Sequence, residues 1–118
     1  MPMKVAILGA SAKPDRYSHR AQKLLMEHGH EVFPVGPRGD EILGVAGWQE
    51  IPAGVDTVTI YVREERFLPV LDQLLAASPR RVIFNPGTES EVAMARLAEA
   101  GIAAEEACTL VLLNTGSF

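Results

Sequence analysis

Lys4-Val5-Ala6-Ile7-Leu8-Gly9-Ala10-Ser11-Ala12-Lys13-Pro14-Asp15-Arg16-Tyr17-Ser18 is the stretch on which the fold turns. Its first part is a short, unbroken apolar run closed by glycine, the pattern of a strand buried on both faces of a parallel sheet. A polar turn follows, after which Ala21, Leu24, Leu25 and His28 recur at helical spacing and Gly29 supplies a stop. Glu31 to Val35 is a second apolar run, ended by Gly36-Pro37-Arg38-Gly39. Strand, helix and strand in that order imply a crossover, and a crossover makes the two strands parallel.

The alternation continues outward. Asp56 to Val62, rich in β-branched residues, reads as a strand, and Phe67, Leu68, Leu71, Leu74 and Leu75 form the apolar stripe of a helix. Arg81 to Phe84 predicts the next strand, Glu89 to Ala100 a helix with acids near its start and Gly101 beyond its end, and Ile102 to Glu105 a last short strand. Asp40 to Val55 is punctuated by glycine and proline, with Ile42, Leu43, Val45 and Trp48 expected as buried anchors and room for one short strand. Together these predict one domain over residues 1–118, a doubly wound, Rossmann-like three-layer α/β/α fold with a mainly parallel sheet of about five strands. Ligands of such folds sit beyond the carboxyl ends of the strands, at the switch in strand order. Function is therefore expected in the loops Gly9 to Ser18, Gly36 to Gly39, Val62 to Glu65 and Asn85 to Thr88, converging at one edge.

Composition sets further limits. With 47% hydrophobic and 22% charged residues, the chain can build a core and is not a solvating tail. The apolar runs Val5 to Leu8 and Leu110 to Leu113 fall far short of the roughly 20 residues that span a bilayer, and Gly9 comes too early for a secretion signal. A cytoplasmic protein without membrane contact is expected. Cys108 is the single cysteine, so no internal disulfide or cysteine-built zinc site is available. His28 and His30 fall at a helix end and a strand start and are expected to face apart, which disfavours a metal centre. The net charge of −4 disfavours nucleic acid as a partner. Yet residues 1–39 hold six Lys/Arg against three acids, a balance of +3, leaving −7 for the remainder. The N-terminal third is where an anion would go.

The Gly9–Ser18 loop joins a strand to a helix, is built of small residues and carries Lys13 and Arg16. Such a loop can aim backbone N–H groups and a helix N-terminus at a phosphate, with the Ser11 and Ser18 hydroxyls and the two cations adding charge-assisted bonds. It is neither G-x-G-x-x-G nor a Walker A loop, and the structural alternative is an ordinary turn in which Ser18 caps the helix. The second strand ends Pro34-Val35-Gly36-Pro37 with no carboxylate for a ribose hydroxyl, which disfavours NAD. Arg38 nearby leaves NADP or another phosphorylated adenosine open.

The order Gly9, Ser11, Pro14, Arg16 and Ser18, then Pro34-Val35-Gly36-Pro37, Ile42-Leu43-Gly44, Ile51-Pro52 and Val55-Asp56, resembles the small stand-alone coenzyme A-binding proteins over nearly the whole chain. Their Rossmann-like domain is shared with the CoA-binding part of succinyl-CoA synthetase α subunits. Gly36 stands where that family has Asn, Val62 where it has Arg, and Asn85-Pro86-Gly87 where it has Gln-x-Gly. The resemblance implies CoA as the ligand. Gly9, Ala10, Ser11, Lys13, Arg16, Tyr17 and Ser18 would meet its pyrophosphate. Val35, Gly36, Pro37, Arg38, Ile42 and Gly44 would lie near its adenosine. Tyr61, Val62, Arg63, Asn85, Pro86 and Gly87 would follow its pantetheine.

Catalysis needs a nucleophile with its base, or two poised carboxylates, in one cleft, and the sequence assembles neither. His19 is read as a surface residue, Glu64, Glu65, Glu89 and Glu91 as complements to helix dipoles, Trp48 and Tyr61 as packing residues, and Cys108 as a small buried hydrophobe. The expectation is noncatalytic binding of CoA or acyl-CoA by a carrier, sensor or regulator. An NADP-binding redox protein and an interaction module with a vestigial nucleotide site are the alternatives, and a homodimer or a protein partner is left open.

Overall fold

Five strands, all parallel, line up in the order β2-β1-β3-β4-β5 in the computed structural model, which describes residues 2–118. They are β1 (Lys4–Leu8), β2 (Glu31–Val35), β3 (Thr57–Ile60), β4 (Arg81–Phe84) and β5 (Ala103–Glu106). The helices are α1 (Tyr17–Glu27), α2 (Glu64–Phe67), α3 (Leu71–Ala77), α4 (Glu91–Glu99) and α5 (Thr109–Asn114), with a 3-10 turn at Leu68–Val70 between α2 and α3.

Alternation along the strands divides the core between the two faces of the sheet. Ala6, Leu8, Val58, Ile60, Val82 and Phe84 pack against Phe67 of α2, Leu71 and Leu74 of α3, and Ala93 and Leu97 of α4. Val5 and Ile7 face the other way, onto Leu25 of α1 and Leu113 of α5. On that second face β3 carries Thr57 and Thr59, both fully buried. Buried hydroxyls need partners. Thr59 exchanges a hydrogen bond with Thr109 (2.8 Å), while the Asn85 amide, just beyond β4, donates to the Thr59 hydroxyl (2.6 Å) and the Ile60 carbonyl (2.9 Å) and accepts from the Thr109 N–H (2.9 Å). One side chain thus ties β3, the loop after β4 and the start of α5.

Several expectations change. The helix predicted around Phe67 to Leu75 is broken by Pro69 in the 3-10 turn, because proline cannot donate to the preceding turn. α5 was not foreseen. In α1 the buried stripe is Ser18, Ala21, Gln22 and Leu25, and His28 lies past the helix end as its C-cap. Ser18 is not the cap, since Arg16 occupies that position without a side-chain bond. Ile42 is buried but Leu43 and Trp48 are 40% and 43% exposed, and no strand forms in this segment. Leu43 and Gly44 have φ of 53° and 77°, and Ile42 and Val45 exchange both backbone bonds, the geometry of a two-residue turn that pushes Leu43 outward. Trp48 anchors by its backbone, bonding Pro34 O (2.8 Å) and Gly36 N (2.9 Å). His28 and His30, expected to face apart, border one shallow hollow with Phe118.

Asn85→Ala is expected to lower the free energy of unfolding by roughly 3 kcal/mol, since each buried group left unpaired costs about 1–3 kcal/mol. Urea denaturation would read this as a lower midpoint at unchanged slope, and an unshifted midpoint would mean the network is dispensable.

Candidate functional site

β1 is followed by a crossover to β2 on one side, and β3 by a crossover to β4 on the other, so the sheet's switch point lies between β1 and β3. Gly9 leaves β1 there with φ +92°. A Cβ on it would stand 2.7 Å from Val62 Cγ1 and 3.2 Å from the Tyr61 carbonyl carbon, so only glycine lets the two loops approach. The Gly9 and Ala10 N–H groups both donate to the Val35 carbonyl (3.0 and 3.2 Å), which clamps the loop to the end of β2. Farther along, His19 Nδ1 bonds Ser11 O (2.9 Å) and the Ser11 hydroxyl accepts from Lys13 N (3.1 Å). His19, read as a surface residue, braces this loop.

Three cavities run along the carboxyl edge and share walls. The central one, about 420 Å³, is lined from all four predicted loops: Gly9, Ala10, Ser11, Lys13, Arg16, Tyr17 and Ser18 from the first, with Pro37, Val62, Pro86 and Thr88 from the others and Tyr61 just after β3. A second, about 330 Å³, continues from Ala10, Ser11 and Lys13 toward Gly36, Pro37, Arg38 and Ile42. A third, about 230 Å³, lies beyond Tyr17, Tyr61 and Pro86, against Asn85, Cys108 and Leu110. The remaining predicted residues stand back from these walls. Val35 is buried and acts through its carbonyl, and Gly44 sits on the two-residue turn. Arg63 caps α2, and the Gly87 N–H donates to the Glu89 carboxylate (3.1 Å).

Arg66, which sequence reasoning passed over, lines both the central and second cavities. Its signal was available: Glu64 and Glu65 mark a helix start, and Arg66 lies on the first turn after Arg63. Cys108 and Leu110 were missed as cavity walls because α5 was missed. Cys108, expected buried, is half-buried there.

The electrostatics favour an anion. Among the described residues the ion pairs are Arg38–Asp40, Arg80–Asp56, Arg81–Glu105 and Arg96–Asp72, so Lys13, Arg16 and Arg66 face the central cavity with no carboxylate partner. The first turn of α1 contains no acid, whereas α2, α3 and α4 each have one or two. The positive end of the α1 dipole is therefore not neutralised from within. The third cavity differs: burial pushes the Tyr61 phenol up to about 12, opposed by the nearby Thr109 and Thr59 hydroxyls, which are themselves bonded to each other.

Comparison with known proteins bears on the fold and the family. Residues 3–114 match the model of the CoA binding domain family. The protein YneT of Bacillus subtilis (strain 168) is 33% identical over 101 residues, 83% of this chain and 75% of that protein. The alpha subunit of an ADP-forming acetate–CoA ligase of Pyrococcus furiosus is 37% identical over 78 residues, 58% of this chain but only 16% of the subunit. The crystal structure of an uncharacterized protein superposes with a TM-score of 0.95 at 43% identity, covering 100% of this chain and 99% of the other. The chain belongs to the CoA-binding domain family, and its five-stranded parallel sheet with flanking helices is a Rossmann-like α/β fold. Among the described residues no helix is long and apolar enough to cross a membrane.

The phenol supplies a pH test. Below pH ~10 Tyr61 is neutral folded and unfolded; between about 10 and 12 only the unfolded chain ionises, so stability falls as pH rises through that window. Tyr61→Phe should remove this part of the decline in urea unfolding at pH 10 to 12. Parallel curves for the two proteins would show a phenol with an ordinary pKa.

Proposed function

We propose that this protein binds coenzyme A or an acyl-CoA without transforming it, as a carrier, sensor or regulator. The observation that carries the reading is the cluster of Lys13, Arg16 and Arg66, without carboxylate partners, around the acid-free first turn of α1 and the loop that Gly9 opens at the switch point. A pyrophosphate fits that cradle in charge and in the close backbone approach that Gly9 permits.

The chemistry along the cleft follows the order of the ligand's parts. Arg38 lines the second cavity, where a ribose phosphate would lie, and its present partner Asp40 is a weak competitor: the 3.4 Å pair is 85% and 55% exposed. The cations of the central cavity suit the pyrophosphate, and the uncharged third cavity suits the pantetheine end. The noncatalytic assignment is supported by the side chains at hand. His19 is engaged with a backbone carbonyl, and the third cavity offers a thiol and a phenol of raised pKa with no carboxylate or imidazole in its walls. The domain spans about a sixth of the ligase subunit it matches, so that subunit's activity is not carried over.

Calorimetry with CoA, NADP and NAD tests the ligand: CoA should bind most tightly, and tighter binding of either nicotinamide dinucleotide would defeat the proposal. Arg16→Ala and Arg66→Ala should each weaken CoA binding about tenfold or more, because a charge-assisted bond contributes about 1.5–3 kcal/mol. An unchanged Kd in both would leave the central cavity without its assigned anion. Gly9→Ala should lose binding with native circular dichroism; retained affinity would mean that the loop never touches phosphate.

A further inference from the structure

The third cavity breaks with the character of the cleft it terminates. Its walls of Tyr17, Tyr61, Asn85, Pro86, Cys108 and Leu110 contain no ionised group. Even the most polar of them is withdrawn: the two Asn85 amide hydrogens go to Thr59 and Ile60, and its oxygen takes the Thr109 N–H. The Tyr61 hydroxyl is buried beside Thr59 and Thr109 and has no hydrogen-bond partner. What the recess offers a visitor is rings, the Leu110 side chain, a proline and a half-buried thiol. Tyr17, 66% exposed at the mouth, is an aromatic surface that an occupant would cover.

Resting on the CoA reading above, we infer that this recess is an acyl subsite that selects short, uncharged acyl groups on the thiol end of the ligand and rejects those ending in a carboxylate. Position supports it: the recess shares Tyr17, Tyr61 and Pro86 with the cation-lined central cavity, on the side away from Arg38, where the thioester would emerge. Capacity limits the chain length. At roughly 30 Å³ for a group the size of a water molecule, 230 Å³ holds the thioester end and a few carbons, not a fatty tail. Chemistry sets the selection, because a neutral chain gains by leaving water, whereas a terminal carboxylate would be desolvated with no cation to meet it and only phenol and thiol hydrogens as donors. The cations that attract the phosphates belong to the neighbouring cavity, so one ligand meets charge at one end and its absence at the other.

Calorimetric Kd values for CoA, butyryl-CoA and succinyl-CoA decide the matter, since the two acyl groups have equal carbon counts and differ in the carboxylate. Butyryl-CoA should bind more tightly than CoA, each buried methylene adding roughly fourfold. Succinyl-CoA should bind about tenfold or more weakly than butyryl-CoA. Leu110→Lys should narrow or reverse that ratio by placing an ammonium in the recess, and Tyr17→Lys, at an exposed position, makes the same test without disturbing the core. Equal affinities for the two acyl-CoAs, with CoA itself binding well, would overturn the subsite and leave the CoA reading standing. No binding of CoA would overturn the CoA reading and the subsite with it.

Discussion

At the end of β1 the chain passes closer to its neighbour than a side chain allows. Gly9, with φ +92°, lies against Val62 and the Tyr61 backbone, and its N–H and that of Ala10 share the Val35 carbonyl. Three strand ends are thereby fixed by one residue without a side chain: β1 by its exit, β2 by its carbonyl and β3 by the contact. With those ends fixed, the connection from Ser11 to Arg16 swings outward and α1 starts where its dipole faces the opening between β1 and β3. Any side chain at Gly9 would force these elements apart, and the cleft would lose its floor before its charges.

The charges gain their effect from placement. An acidic protein of net charge −4 brings three cations without carboxylate partners, Lys13, Arg16 and Arg66, around one cavity at one edge of its sheet, all three exposed to water. Their fields add at an anion placed among them, so three converging cations can outweigh a larger number of acids spread over the surface. The acid-free first turn of α1 adds to this field, since an aspartate there would satisfy the dipole internally and compete with a ligand.

The sheet was legible because parallel strands are buried on both faces and read as plain apolar runs: β2 and β4 have the predicted limits and β1 ends one residue early. Loop convergence followed from topology alone. The errors have local causes. Pro69 was visible within the stripe of Phe67 to Leu75 and still lost to the periodicity of the leucines. Leu43 and Trp48 were expected inside on hydrophobicity, but turn geometry exposes one and backbone bonding leaves the ring of the other free to lie edge-on to Phe33, 6.0 Å away. α5 is six residues long and falls in the apolar run Leu110 to Leu113, so the bonds that Asn85 makes to Thr59, Ile60 and Thr109 had no visible signal, although the residue does line the third cavity as expected of its loop. Arg66 was overlooked for Arg63 because which of two cations on a turn faces a cavity depends on the helix start, known from sequence only to within a residue or two.

The two margins of the sheet are finished differently. Along β2, Pro34 offers no N–H, while Trp48 crosses over to occupy its carbonyl and the Gly36 N–H. Along β5 the outer strand is Ala103-Ala104-Glu105-Glu106, with both glutamates exposed. A second copy approaching β5 would bring like charges together, and one approaching the end of β2 would find its bonding groups already taken. Growth of the sheet from molecule to molecule is thus discouraged at either border, and self-association of this chain would have to be built through its helices and loops.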